Sequence, residues 1–162
     1  NILAVATIEG DLFTIKAENG EIIQTLGINE ALTSQLTISE AEYNGELTKA
    51  VIIGSASGKI YCYSLNTLEF IWENNSASQM IETLPLVIQD KIIFGSWDNY
   101  LYCISKNTGS LIWKWTENKN FYYSPAACWP VSDGKNIPVT MEFMSCVVPM
   151  PRVCMALSRN AR

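Results

Sequence analysis

The stretch 92–113, IIFGSWDNYLYCISKNTGSLIW, decides how the rest of the chain is read. Two apolar runs flank a polar turn, Ser96 to Asn99. A second turn, Asn107-Thr108-Gly109, leads into a third short run that ends on Trp113. The same unit stands at 51–72, VIIGSASGKIYCYSLNTLEFIW, and again, more worn, at 3–24, LAVATIEGDLFTIKAENGEIIQ. The three superpose without gaps. Repeats spaced 41 to 48 residues apart point to a propeller or another array.

Working outward, the first repeat predicts strands at about 2–7, 12–16 and 21–26, with Asn19-Gly20 as a tight turn. Residues 27–48 are more polar; one strand is expected near Leu36 to Ile38, and Glu40 to Lys49 reads as an exposed loop. The second repeat predicts strands over Ala50–Gly54, Lys59–Leu65 and Glu69–Trp72. Thr83 to Ile88 reads as a strand whose Pro85 marks its start or an edge. Ser124-Pro125-Ala126 repeats that Pro-led pattern, and a fourth repeat begins near 124. It then fails, because Pro138 stands where the others have Ile52 and Ile93. The composition changes at the same point: all three Arg lie in the last eleven residues and four of five Met follow residue 136. The expected division is therefore repeats over 1–137 and a divergent or out-of-frame tail over 138–162.

Four short antiparallel strands per unit suit a propeller blade. Apolar residues occupy both parities of the middle strand, Ile60, Tyr61 and Tyr63 in one repeat and Leu101, Tyr102 and Ile104 in another, so both faces must be covered. The fold class expected is all-β: a partial propeller of about three four-stranded antiparallel blades plus the start of a fourth. Gly54 and Gly95 leave room for a neighbouring backbone. Tyr61, Tyr102 and Gly109 recur as framework positions, and Trp72 and Trp113 are large enough to wedge between blades, each indole N–H free for one polar partner.

Composition narrows the chemistry. The 162 residues carry a net charge of −5 with a pI near 4.7, which disfavours nucleic-acid binding. No apolar run reaches membrane-span length. There is no His, which removes the commonest general base and metal ligand. The five Cys form no C-x-x-C pair, and Cys62 and Cys103, at one position of two repeats, read as core residues too far apart for a disulfide. Gly54-Ser55-Ala56-Ser57-Gly58 reads as a hairpin turn, since no Gly-Lys-Ser/Thr follows, and Asp98-Asn99 as a β-turn. Asn74-Asn75-Ser76 matches the N-glycosylation pattern formally. Tyr122, Tyr123 and Trp129 form an aromatic cluster that either lines a binding surface at a blade mouth or fills a strand. The chain opens on what reads as mid-strand, with no initiator Met, and so reads as part of a longer protein.

The pattern apolar-apolar-x-Gly-Ser, then Lys/Tyr-apolar-Tyr-Cys-apolar-Ser, then Asn-Thr-Gly-x-x-x-Trp resembles the pyrroloquinoline-quinone-type propeller repeat. That family includes quinoprotein alcohol dehydrogenases and the non-catalytic propeller lipoprotein of outer-membrane protein assembly. The resemblance covers roughly 1–137 and is strongest at 92–113. Gln24 replaces the Trp and Ala6 the Gly in the first repeat, and Ser64, Ser105 and Lys16 stand where the family usually carries an Asp. The resemblance implies a ring of seven or eight blades, which this chain cannot close alone.

The function expected is a non-catalytic propeller segment, a scaffold for a protein partner or ligand within a larger protein. One alternative is a fragment of a quinoprotein dehydrogenase, which would imply pyrroloquinoline quinone (PQQ) and calcium; the adjacent Cys pair that holds the quinone in that family is missing here. Another is an accessory propeller of a calcineurin-like phosphoesterase, faintly suggested by Ser124 to Pro130. No catalytic, cofactor or metal residue is assigned. Family resemblance alone favours a periplasmic or cell-surface location. An incomplete ring leaves apolar sheet faces bare, so self-association of the isolated chain is expected.

Overall fold

The computed structural model describes residues 1–116 together with the backbone of strands at 127–131 and 140–144. The first sheet contains β1 (Ile2–Ala6), β2 (Asp11–Lys16) and β3 (Ile22–Gly27) in that order. The second contains β4 (Thr37–Tyr43), β5 (Glu46–Gly54), β6 (Ile60–Ser64) and β7 (Phe70–Asn74). The third contains β8 (Leu86–Ile88), β9 (Lys91–Gly95), β10 (Leu101–Ser105) and β11 (Leu111–Trp115). β12 (Ala127–Val131) and β13 (Thr140–Met144) pair as a fourth. Every pairing is antiparallel between chain neighbours. The structure is thus a partial β-propeller. β4 runs beside β8 and β8 beside β12, so the leading strands of successive sheets meet. β13 falls within the stretch read as a tail; the remainder of that stretch lies outside the described residues.

Each repeat supplies the last three strands of a sheet, and the copies agree in detail. A bulge falls between Thr14 and Ile15, between Cys62 and Tyr63, and between Cys103 and Ile104, which are equivalent positions. The turn after each middle strand closes the same way. The backbone N–H of Gly20, Leu68 and Gly109 donates to the carbonyl of Lys16, Ser64 and Ser105. Pro85, which has no N–H to give a ladder, stands just before β8.

One expectation fails. Glu40 to Lys49 is not a loop but a hairpin, in which β4 and β5 pair from Thr37↔Ile52 to Tyr43↔Glu46. Its turn is Asn44-Gly45, both at positive φ (53° and 79°), the chemistry that a two-residue hairpin demands. The polar composition hid a period-two pattern: in Glu40-Ala41-Glu42 the central Ala is fully buried and both glutamates are exposed.

The core lies in the seams between sheets. Val51, Ile53, Tyr61 and Tyr63 face the first sheet, where Leu12, Leu32 and Leu68 meet them. Ile52, Ile60, Cys62 and Trp72 face the third, against Ile92, Phe94, Tyr102 and Ile104. Adjacent residues of β5 and β6 thus serve opposite seams, which is why both parities are apolar. Phe94 and Tyr102 stack with ring centroids 5.2 Å apart.

The second seam is closed by a lock. Trp72 lies over the turn of the next sheet and donates its indole N–H to the Lys106 carbonyl at 2.9 Å. Gly109 is needed there twice. Its φ is +68°, and a Cβ on it would come within 2.6 Å of Trp72 Cε3. Asn74 adds a 2.7 Å bond from its side-chain amide to the Gly109 carbonyl. The first seam is built differently. Gln24 stands at the Trp position and Leu68, buried at φ +54°, at the Gly position. A groove of about 320 Å³ is lined by Asn1, Ile2, Lys49, Leu65 and Asn66.

At the positions that Trp72 and Gly109 hold in the second seam, the first therefore has Gln24, which is exposed, and Leu68, which is buried. Gly109→Leu alone should cost more than about 2 kcal/mol through overpacking. With Trp72→Gln added, the double variant should recover about 1 kcal/mol or more relative to the sum of the single changes, read as a double-mutant cycle in urea. At the middle of β2, Thr14 stands where the other repeats have Cys62 and Cys103, and its buried hydroxyl has no partner among the described residues. Thr14→Val should raise stability by about 1 kcal/mol; a fall in Tm would count against a wasted hydroxyl.

Candidate interaction surface

The strand connections fall on two rims. One carries the turns between middle and last strands, including the lock at Gly109. The other carries the turns Thr7–Gly10, Ser55–Gly58 and Ser96–Asn99 beside the long connections that enter the second and third sheets. Side-chain hydrogen bonding is richest on the second rim.

Two carboxylates organise it. Glu30, in the connection into the second sheet, accepts hydrogen bonds from the Tyr61 hydroxyl and the Ser57 hydroxyl. Asp98, in the turn of the third sheet, accepts from the Tyr102 hydroxyl at 2.6 Å and from the Ser78 backbone N–H at 2.8 Å. Equivalent tyrosines thus reach acids drawn from different parts of the chain. Glu30 ties Tyr61 of the middle strand directly to the loop that leads into the second sheet, and Asp98 holds Tyr102 of its own hairpin while joining it through Ser78 to the loop that leads into the third.

The titration of these groups follows. Partial burial raises the Glu30 carboxyl, but hydrogen bonds from Ser57, Tyr61 and Ser55, with the charge of Lys59, outweigh it and leave it below the ordinary value of 4.5. Burial, reinforced by Glu30 and Asp98 respectively, pushes the Tyr61 and Tyr102 phenols above 10.0. Burial pushes the Cys62 thiol up to about 12 and raises that of Cys103, so both free thiols are held protonated and unreactive.

Trp97 is the exposed feature of this rim, 39% exposed in a turn whose equivalents are Ala56 and Ile8. Its backbone N–H donates to the Met80 carbonyl at 3.0 Å and its indole N–H to Glu82 Oε2 at 3.2 Å. The ring is therefore anchored while one face meets solvent. Around it lie Glu82, Asp98 and Tyr100, whose ring carries the Lys114 ammonium 4.8 Å from its centroid.

The residues singled out from sequence fall as follows. Gly54 N–H donates to the Ser34 hydroxyl at 2.7 Å, and a Cβ there would strike Ile81. Gly95 N–H donates to the Thr83 hydroxyl at 3.0 Å. Tyr61 and Tyr102 are the rim nodes. Trp72 and Gly109 meet in the lock, and Trp113, their counterpart, is exposed. Asn74 is buried with its amide engaged by Gly109 and Ser76, which leaves no room for a glycan. Tyr122 and Tyr123 lie outside the described residues; of Trp129 only the backbone, in β12, is described. Among the described residues, no group of three His, Cys, Asp or Glu is placed to hold a metal. Sequence reasoning missed Trp97, Glu30 and Glu82. A signal for Trp97 was present, because a hairpin turn has no conformational use for an indole.

The sign of the pH dependence is fixed by these shifts. Glu30's contribution is full above 4.5 and is lost as pH falls through its lower folded value. The contributions of Tyr61 and Tyr102 are full below 10.0 and fade as pH rises through their higher folded values. Tm should form a plateau between about pH 5 and 9, and Glu30→Gln should flatten the acid limb while leaving the alkaline limb in place. Parallel curves for the two proteins on the acid side would remove Glu30 from this role.

No curated protein matches this chain. Among solved structures, BamB from Moraxella catarrhalis superposes with a TM-score of 0.63 at 18% identity, over 82% of this chain and 38% of that one. Quinohemoprotein alcohol dehydrogenase from Comamonas testosteroni gives 0.53 at 19% identity, over 70% of this chain and 19% of that one. The computationally designed Ika4 protein gives 0.64 at 15% identity, over 82% of this chain and 76% of that one. At these identities the likeness concerns the fold, and the chain spans well under half the length of the two natural proteins. Residues 48–128, which hold the second and third repeats, match the family described as outer membrane protein assembly factor BamB. That match covers half the chain, and on it the protein belongs to the BamB-like, pyrroloquinoline-quinone-type family of propeller repeats.

Proposed function

We propose that the chain is a non-catalytic propeller segment of a larger protein and that it acts as a scaffold, engaging a protein partner at the rim around Trp97. The observation that carries this reading is a tryptophan 39% exposed whose backbone N–H is held by the Met80 carbonyl and whose indole N–H donates to Glu82. A large, pre-ordered aromatic loses little side-chain entropy on binding and is the residue type most enriched at interface hot spots. Its neighbours Glu82 and Asp98 and the net charge of −5 suit a neutral or basic polypeptide segment and oppose a nucleic acid. The family's own description, an assembly factor, supports a protein as the partner and an extracytoplasmic location, in the periplasm or at the cell surface.

No resident cofactor belongs to this reading. PQQ and calcium belong to the quinoprotein alternative, and no specific observation favours that alternative or the phosphoesterase one.

A photo-cross-linking amino acid at position 97, in the protein produced in its own host, should capture a defined polypeptide. Trp97→Ala should weaken binding of that polypeptide, once purified, by at least about tenfold without changing Tm. An unchanged affinity would remove Trp97 from the interface. A rise in Tm on adding PQQ with calcium would transfer the chain to the quinoprotein alternative.

A further inference from the structure

Asn-Gly pairs stand in two turns of the described chain, at 19–20 and 44–45, and the structure sets them apart. An asparagine side chain can be attacked by the backbone nitrogen that follows it, and Gly has no side chain to crowd that approach. At Asn19-Gly20 both reacting groups are held. The Asn19 side-chain carbonyl accepts from the Glu21 N–H at 3.1 Å, and the Gly20 N–H donates to the Lys16 carbonyl at 2.9 Å. At Asn44-Gly45 both residues are exposed, and neither the Asn44 side-chain amide nor the Gly45 N–H has a hydrogen-bond partner among the described residues. The turns at Asn66 and Asn107 are guarded in another way, because each Asn is followed by a β-branched Thr.

Asn44-Gly45 is the tip of the β4–β5 hairpin, which outruns its counterpart. The hairpin of the third sheet closes at Ile88↔Lys91, the equivalent of Ser39↔Ala50. The second sheet continues for four more pairs, to Tyr43↔Glu46. β6 pairs with β5 only from Ala50 onward, so Glu46 to Thr48 are held by β4 alone. A two-stranded projection opens at lower free energy than the four-stranded body it leaves.

We infer that Asn44 is a site of spontaneous deamidation. The Gly45 backbone nitrogen gives its proton to hydroxide and bonds to Asn44 Cγ. The bond from Cγ to Nδ2 breaks, and that nitrogen takes a proton from water and leaves as ammonia. Water then adds to one of the two carbonyls of the resulting succinimide. Opening on one side gives aspartate; opening on the other gives isoaspartate, in which the main chain runs through Cγ. One water is consumed, one ammonia is released, and nothing is oxidised or reduced. The ring includes the Asn44 Cα–C bond, so it cannot close while Asn44 and Gly45 keep their turn conformation, φ 53° and 79°; the Tyr43↔Glu46 pair parts first. The products differ in fit. Aspartate tolerates the left-handed position, so the hairpin re-forms with a further negative charge beside the exposed Glu42 and Glu46. Isoaspartate adds a methylene to a turn whose length sets the register of β4 on β5. This goes beyond the scaffold reading, and the turn lies on the rim opposite Trp97.

Incubation of the folded full chain in heavy-oxygen water at mildly alkaline pH, followed by peptide mapping in a mass spectrometer, tests it. Each event at Asn44 fixes one labelled oxygen, which separates it from conversion during sample handling. Asn44 should convert at least about tenfold faster than Asn19, and faster than Asn66 and Asn107, because its tip opens locally. Its labelled peptide should contain both aspartate and isoaspartate, the latter scored by an isoaspartyl methyltransferase. In urea, where no turn is formed, Asn44 and Asn19 should convert at similar rates, which assigns the difference to the fold. Asn44→Gln, whose longer side chain disfavours the five-membered ring, should lose the label at this peptide alone. An Asn44 no faster than Asn19 in the folded chain, or a difference that persists unchanged in urea, would overturn the inference. Neither result bears on the partner proposed at Trp97.

Discussion

The structure depends on one indole seated on one glycine. A propeller sheet has two apolar faces and cannot hide either alone, so stability resides between sheets. In the second seam that dependence is concentrated at Trp72, which fills the space over the Gly109 turn and satisfies its own N–H on the Lys106 carbonyl. The hydrogen bond sets the depth of the ring and the missing Cβ sets its height. The same seam holds the stacked Phe94 and Tyr102 and the buried Ile52, Ile60, Ile92 and Ile104.

The rim carries a different kind of constraint. Glu30 and Asp98 each hold a tyrosine hydroxyl from a middle strand, yet they come from different segments, one from a connection and one from a turn. The requirement is for a carboxylate at a point in space, and the chain meets it from whichever loop passes by. That tolerance lets successive loops differ in length and composition while the strands beneath remain superposable, and it leaves the rim free to carry residues such as Trp97 that the fold does not need.

The fold was legible because the three 22-residue units keep their turn chemistry and their double-faced middle strands. The Trp-ended strands and the Asn-Thr-Gly turn carried the family. The hairpin at Thr37–Gly54 was hidden because its first half faces solvent and spends its alternation on Ser, Glu and Ala. The acids at Glu30 and Glu82 were illegible for another reason. Their partners are 31 and 15 residues away, and no repeat spacing links them. Trp97 could have been read, since its turn had no other reason to hold it. Tyr122, Tyr123 and Trp129 drew attention because aromatics near prolines are conspicuous, a compositional cue that carries no geometry.

The different residues at equivalent positions of the two seams, Gln24 and Leu68 in the first and Trp72 and Gly109 in the second, bear on how such a chain can change over generations. Each seam is specified half by one repeat and half by the next. A unit copied whole from Trp to Trp brings an indole that suits only a glycine turn and a turn that suits only the neighbour it came from. Duplication is harmless beside an identical unit and damaging beside a diverged one. Once one seam has drifted to Gln and Leu, the repeats lose their interchangeability, and their order along the chain becomes an inherited constraint.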